Sequence, residues 1–130
     1  MYYFLVVNTE PNTLYNNPKI EYIDVTEGLL EFVDVSIPDW VSRLAKFRIL
    51  YNSFQILPFN PNSWFTGDNL NIRIPLNLQL DQEPFRLEIQ QVNEDDTYTH
   101  AIAYGFSVAL KQPANSQDLL RLSGLLQVEG

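Results

Sequence analysis

The amino-acid sequence predicts a mainly β protein: an antiparallel β-sandwich or barrel carrying one or two short helices. Two period-two runs carry the argument. In Leu70-Asn71-Ile72-Arg73-Ile74-Pro75-Leu76-Asn77-Leu78-Gln79-Leu80 every second residue is aliphatic and each intervening one is polar or proline, the signature of a strand with one buried face. From Tyr98 to Leu110 large residues (Tyr98, His100, Ile102, Tyr104, Phe106, Val108, Leu110) alternate with small ones (Thr99, Ala101, Ala103, Gly105, Ser107, Ala109). The large side suits a core, and the small side lets a second backbone or sheet approach closely. Runs of strands with only short helices between them then select a sandwich or barrel.

Taken in order, strands are expected at Tyr2–Asn8, Lys19–Val25, Leu29–Val35 and Phe47–Leu57, punctuated by loops at Pro11-Asn12 and Asn16-Asn17-Pro18. A short helix is expected after Val35. Ser36 offers a cap, Pro38 and Asp39 suit a first turn, and Trp40, Val41, Leu44 and Ala45 share a face. Pro75 lacks an N–H, so its run reads as an edge strand or as a strand split by a bulge. Phe85–Ile89 alternates again, and the Asx-rich Asn93–Thr97 supplies a turn. The stretch from 70 to 110 is therefore expected to be a three-strand meander, with the Tyr98–Leu110 strand internal. The tail Ser116–Leu126 reads as a helical turn followed by a strand. No internal repeat or low-complexity linker divides the chain, so residues 1–130 read as one domain.

At 130 residues with 45% hydrophobic and 13% aromatic content, the chain can bury a core without a metal or disulfide staple. It has no cysteine, which removes disulfides, thiolate nucleophiles and thiolate metal sites from consideration. The N-terminal apolar run lacks the basic segment and cleavage site of a secretory signal and is too short to span a bilayer. Synthesis in a cytoplasm and no membrane partner are expected. Sixteen carboxylates against eight Lys and Arg give a formal charge of −8, which repels a phosphate backbone. The one basic cluster, Arg43, Lys46 and Arg48, is expected to pair with surface carboxylates rather than with nucleic acid.

No catalytic set emerges. His100 is the only histidine, so a histidine metal site is impossible and a triad, with Ser107 for instance, would rest on this one residue. Its expected role is a partly buried, hydrogen-bonded side chain. The Asn93-Glu94-Asp95-Asp96 turn lacks the spacing and glycine of a calcium loop and reads as a solvated hairpin tip. Glu21, Asp24, Glu31, Asp34 and Glu88 offer carboxylate pairs only as any acidic β protein does. The glycines at 28, 67, 105, 124 and 130 make no phosphate-cradling loop. No cofactor and no metal are expected.

The most informative local feature is Pro58-Phe59-Asn60-Pro61-Asn62-Ser63-Trp64-Phe65-Thr66-Gly67-Asp68, where three aromatics sit among loop formers. Phe59, Trp64 and Phe65 are candidate interface anchors. Adjacent residues on an extended chain point to opposite sides, so one of Trp64 and Phe65 should face inward and the other outward. Two other readings stand beside this: a plug closing the end of the sandwich, and a sugar-stacking platform aided by Tyr51, Asn60 and Asn62. With few catalytic residue types, the expected function is a non-enzymatic structural or assembly module with protein partners, as a homo-oligomer or as part of a shell. In composition and architecture it resembles the small acidic β subunits that serve as capsid cement, decoration or connector parts of phage virions. The rivals are a carbohydrate-binding module and a small carboxylate-dependent enzyme.

Overall fold

A computed structural model describes residues 1–111, and in it the alternating runs become nine strands. They are β1 (Tyr2–Thr9), β2 (Lys19–Asp24), β3 (Gly28–Ile37), β4 (Ala45–Tyr51), β5 (Phe54–Leu57), β6 (Phe65–Thr66), β7 (Leu70–Leu80), β8 (Arg86–Asn93) and β9 (His100–Leu110). A front sheet runs β1-β9-β3-β7 and a back sheet β2-β8-β4-β5, with β6 also paired to β4. Every pairing is antiparallel. The sheets stack without closing on each other, so the architecture is a sandwich and not a barrel.

Alternation places the core. Ile102, Tyr104, Phe106 and Val108 of β9 are fully buried, with Val33, Val35 and Ile37 of β3 beside them and Phe47, Ile49, Leu87 and Ile89 of the back sheet opposite. Phe47 meets the edge of Tyr104 at 5.2 Å between ring centres, across the two sheets, a geometry that adds to simple area burial. β9 is internal, as expected, between β1 and β3. The edge reading of Pro75 holds, and a bulge is present, but it does not split the run, which stays one strand from Leu70 to Leu80. β7 is an edge strand, and its register against β3 shifts between Leu30 and Phe32, opposite a stretch in which Asn77 takes a φ of 51°, a left-handed conformation that Asn tolerates.

Four expectations are corrected. No helix occurs among the described residues. β3 continues through Ser36 to Ile37, and the segment after it holds Trp40, Ser42 and Arg43 at φ of 78°, 54° and 63°, which a right-handed helix cannot contain. The expected strand Phe47–Leu57 is two strands, folded at Asn52 and Ser53, both at positive φ, as a tight two-residue hairpin requires. The meander is absent, because β7, β8 and β9 lie in the front, back and front sheets in turn. The small side of β9 does not receive a second sheet, which packs instead on its large side. The helical turn and strand expected at Ser116–Leu126 lie outside the described residues. No helix among the described residues is long and apolar enough to cross a membrane.

A candidate interface on the front sheet

The outward face of the front sheet is built in rows. Phe4, Gly105, Asp34 and Arg73 are register neighbours across all four strands, and the flanking rows are Tyr2-Ser107-Phe32-Pro75 and Val6-Ala103-Ser36-Asn71. The small residues of β9 thus form a valley between an apolar wall on β1 and a polar wall on β3 and β7. The space between the walls is a shallow groove of about 360 Å³. The apolar wall is open to solvent: Tyr2, Phe4 and Val6 are 53%, 62% and 49% exposed. Tyr2 leans across the valley, and its hydroxyl donates to Asp34 Oδ2 at 2.8 Å. Only glycine permits this, because a Cβ on Gly105 would lie 1.8 Å from the Tyr2 oxygen. Arg73 clamps Asp34 with two bonds of 2.7 and 3.1 Å, and its guanidinium covers the Phe32 ring at 3.9 Å.

At the far end of the valley lies a second cleft of about 380 Å³, lined by Pro38, Val41, Trp40, Tyr98 and His100. Trp40 and Tyr98 are 80% and 65% exposed. Below them His100 Nε2 bonds Asp95 Oδ2 at 2.8 Å, with both side chains nearly buried. This is the hydrogen-bonded histidine the sequence led us to expect. Asp95 also accepts the backbone N–H groups of Thr97 and Tyr98, so the acidic turn, solvated at Glu94, Asp96 and Thr97 as expected, is a braced corner between the two sheets rather than a hairpin tip.

The three loop aromatics are not brought together. Phe59 is 70% exposed. Phe65 faces inward onto Phe47 at 5.3 Å, and Trp64 faces the other way, as alternation requires. Trp64 is half-buried, however, because Arg48 lies over its ring at 4.5 Å and Tyr15 meets it edge-on. The Gln55 amide faces the carbonyls of Pro58, Asn60 and Ser63 and fixes the loop against β5. Tyr51 is buried with its hydroxyl on Gln82, away from any platform with Trp64.

The candidate catalytic groups are likewise dispersed. His100 points to the core side of β9, and Ser107 lies on the outward side, donating to Glu31 at 3.0 Å. Asp24 pairs with Arg86, Glu21 with Lys19, and Glu88 accepts from Gln90. In the basic cluster Lys46 pairs with Glu94, and Arg48 donates to Gln90. Among the described residues no three His, Asp or Glu side chains gather as a metal-binding group.

Three carboxylates are held below their usual range: Asp34 by hydrogen bonds from Arg73, Glu94 by Lys46, and Asp95 chiefly by the Thr97 backbone N–H and then by His100. A carboxylate with a depressed folded pKa contributes stability above its unfolded value of about 4 and loses it as pH falls through the folded value. The urea midpoint is therefore expected to drop below about pH 4, and Asp95→Asn should flatten that limb. An unchanged limb in the variant would remove Asp95 from the account.

Comparison with protein-family models, with curated proteins and with solved structures finds no match to this chain.

The outward apolar wall of β1 escaped the sequence reading for a physical reason. Tyr2-Tyr3-Phe4-Leu5-Val6-Val7 is apolar at every position, so no alternation tells inward from outward. The available signal was that lack of alternation itself. A strand apolar on both sides either lies between two layers or shows an apolar side to something else.

Proposed function

We propose that the protein is a non-enzymatic assembly module, a structural subunit of a larger particle such as a phage virion, where small β subunits act as cement, decoration or connectors. It meets its protein partners through the outward face of the front sheet. The observation that carries the reading is the wall of Tyr2, Phe4 and Val6, exposed on a chain with a formal charge of −8. An acidic surface keeps copies apart, and an apolar, uncharged strip on it is where contact is favourable. Native mass spectrometry of the full chain is the test. Species at multiples of 15.1 kDa are expected, and a strict monomer at all concentrations argues against the reading.

One observation favours a second reading. The cleft between Trp40 and Tyr98 offers two exposed rings with His100 between them, an arrangement that can stack on a sugar ring. In that case a pull-down with insoluble polysaccharide should retain the protein, and Trp40→Ala should release it. The assembly reading expects no retention. The Trp64 ring is a poorer platform, since Arg48 already occupies one of its faces.

A further inference from the structure

The four sheet edges are not alike. An open edge is a template for another strand, and proteins ordinarily block it with charge, proline, a bulge or brevity. β7 carries Arg73, Pro75 and the irregularity at Asn77. β2 carries Lys19, Glu21 and Asp24 and follows Pro18. β5 is four residues long and is followed by Pro58. β1 has none of these devices. Its eight residues, Tyr-Tyr-Phe-Leu-Val-Val-Asn-Thr, include no charge and no proline, and its register with β9 runs unbroken from Tyr2–Ser107 to Thr9–His100.

We infer that β1 is a self-pairing edge: two copies join antiparallel, β1 to β1, about a two-fold axis, and fuse their front sheets into one eight-stranded sheet. The inference rests on the assembly reading and names its partner as a second copy of this chain. Backbone parity makes the edge available. Met1 N donates to Val108 O and Val108 N to Met1 O, so the doubly bonded pairs with β9 continue at Tyr3, Leu5 and Val7. The N–H and C=O groups of Tyr2, Phe4 and Val6 therefore turn to the open side, where no described residue pairs with them. Past Val6 the strand is engaged by the back sheet, where Gln91 and Asn93 of β8 reach Val7 O and Thr9 O.

The exposed apolar residues on this side of β1 are Tyr2, Phe4 and Val6, and the middle one, Phe4, falls at the axis. Phe4 then meets Phe4 of the second copy, a cross-strand apolar pair of the kind that stabilises sheets, and Tyr2 and Val6 fall opposite one another in register. Tyr2 does not obstruct the approach, because its ring is drawn inward over Gly105 to Asp34. A two-fold contact uses each feature twice.

Sedimentation equilibrium on the full chain tests the inference, with Phe4→Lys and, as a control of equal charge change on another exposed aromatic, Phe54→Lys. The wild type and Phe54→Lys should dimerise alike. Phe4→Lys, which places two like charges at the axis and removes two buried rings, should weaken the dimer by at least about a hundredfold. Amide exchange on the wild type gives a second readout, in which protection of the Phe4 and Val6 N–H groups rises with protein concentration while that of Leu5 does not. An oligomer untouched by Phe4→Lys but dissociated by Phe59→Lys overturns the β1 dimer and leaves the assembly reading standing on the 58–68 loop. A wild type that stays monomeric overturns both.

Discussion

Replacing Gln91 with leucine should destabilise the protein by about 3–5 kcal/mol, because it orphans buried polar groups on two other strands. Gln91 is fully buried in β8. Its oxygen accepts the Tyr104 hydroxyl of β9 at 2.6 Å, and its nitrogen donates to Val7 O and Thr9 Oγ1 of β1. Leucine fills similar volume but leaves the Tyr104 and Thr9 hydroxyls without these partners in the interior, and each such loss costs about 1–3 kcal/mol. Urea denaturation is the measurement. Tyr104→Phe alone should cost less, and the double variant should cost less than the sum, because its second change removes a group the first had stranded. A cycle that is strictly additive would show that the three strands are not coupled through this amide. Burial also pushes the Tyr104 hydroxyl pKa well above its ordinary value. A raised folded pKa means stability that is intact below about pH 10 and is lost as pH climbs beyond it, and Tyr104→Phe should remove that part of the alkaline limb.

Gly28→Ala is the second large effect, expected at about 2–4 kcal/mol. A Cβ there would lie 2.1 Å from the Ala109 carbonyl oxygen and 3.1 Å from its carbon. Those are backbone atoms at the Gly28–Leu110 end of the β3–β9 pairing, so relief requires the strands themselves to part. Gly105→Ala makes an instructive contrast. Its clash, although nominally closer, is with the tip of the Tyr2 side chain, which can swing away at the cost of one exposed hydrogen bond to Asp34. Thermal unfolding of the two variants should show a much larger fall for Gly28→Ala. Equal falls would mean that Tyr2 is as fixed as backbone.

The sequence was most legible where a strand separates its two sides by size or polarity. β9 alternates large with small and β7 alternates aliphatic with polar, so each revealed its buried face, and Pro75 marked β7 as an edge. What alternation cannot tell is which sheet a strand joins, and the expected meander failed on that point. The helix expected after Val35 failed because Ser36, Pro38 and Asp39 serve turns as well as helix starts, and the local pattern carries no sign of the left-handed residues that follow. Gln91 and Asn93 extend β8 beyond Ile89, where the apolar alternation stops. Their partners lie on β1, at the far end of the chain, on β9 at Tyr104 and, close by, at Tyr98, and a buried polar lattice of that kind leaves no local trace. At Trp64 and Phe65 the opposition of the two rings follows from their adjacency on an extended chain. That Arg48 caps the outward one has no local signal, because the two residues meet only through the fold.

The pairing of β1 with β9 also sets a timetable. Tyr2 is synthesised well before its partner Ser107, and a ribosome adding about 5–20 residues per second needs on the order of 5–20 s to pass from one to the other. Throughout that interval an apolar strand with no charge of its own has neither its neighbour nor its core. The front sheet therefore cannot close until β9 has been made, and it does so by contacts distant in sequence, which places refolding in the slow, millisecond-to-second range of all-β domains. The same strand that offers an orderly junction between finished copies is the one a chaperone must shield, or a neighbouring nascent chain can capture, before the molecule is complete.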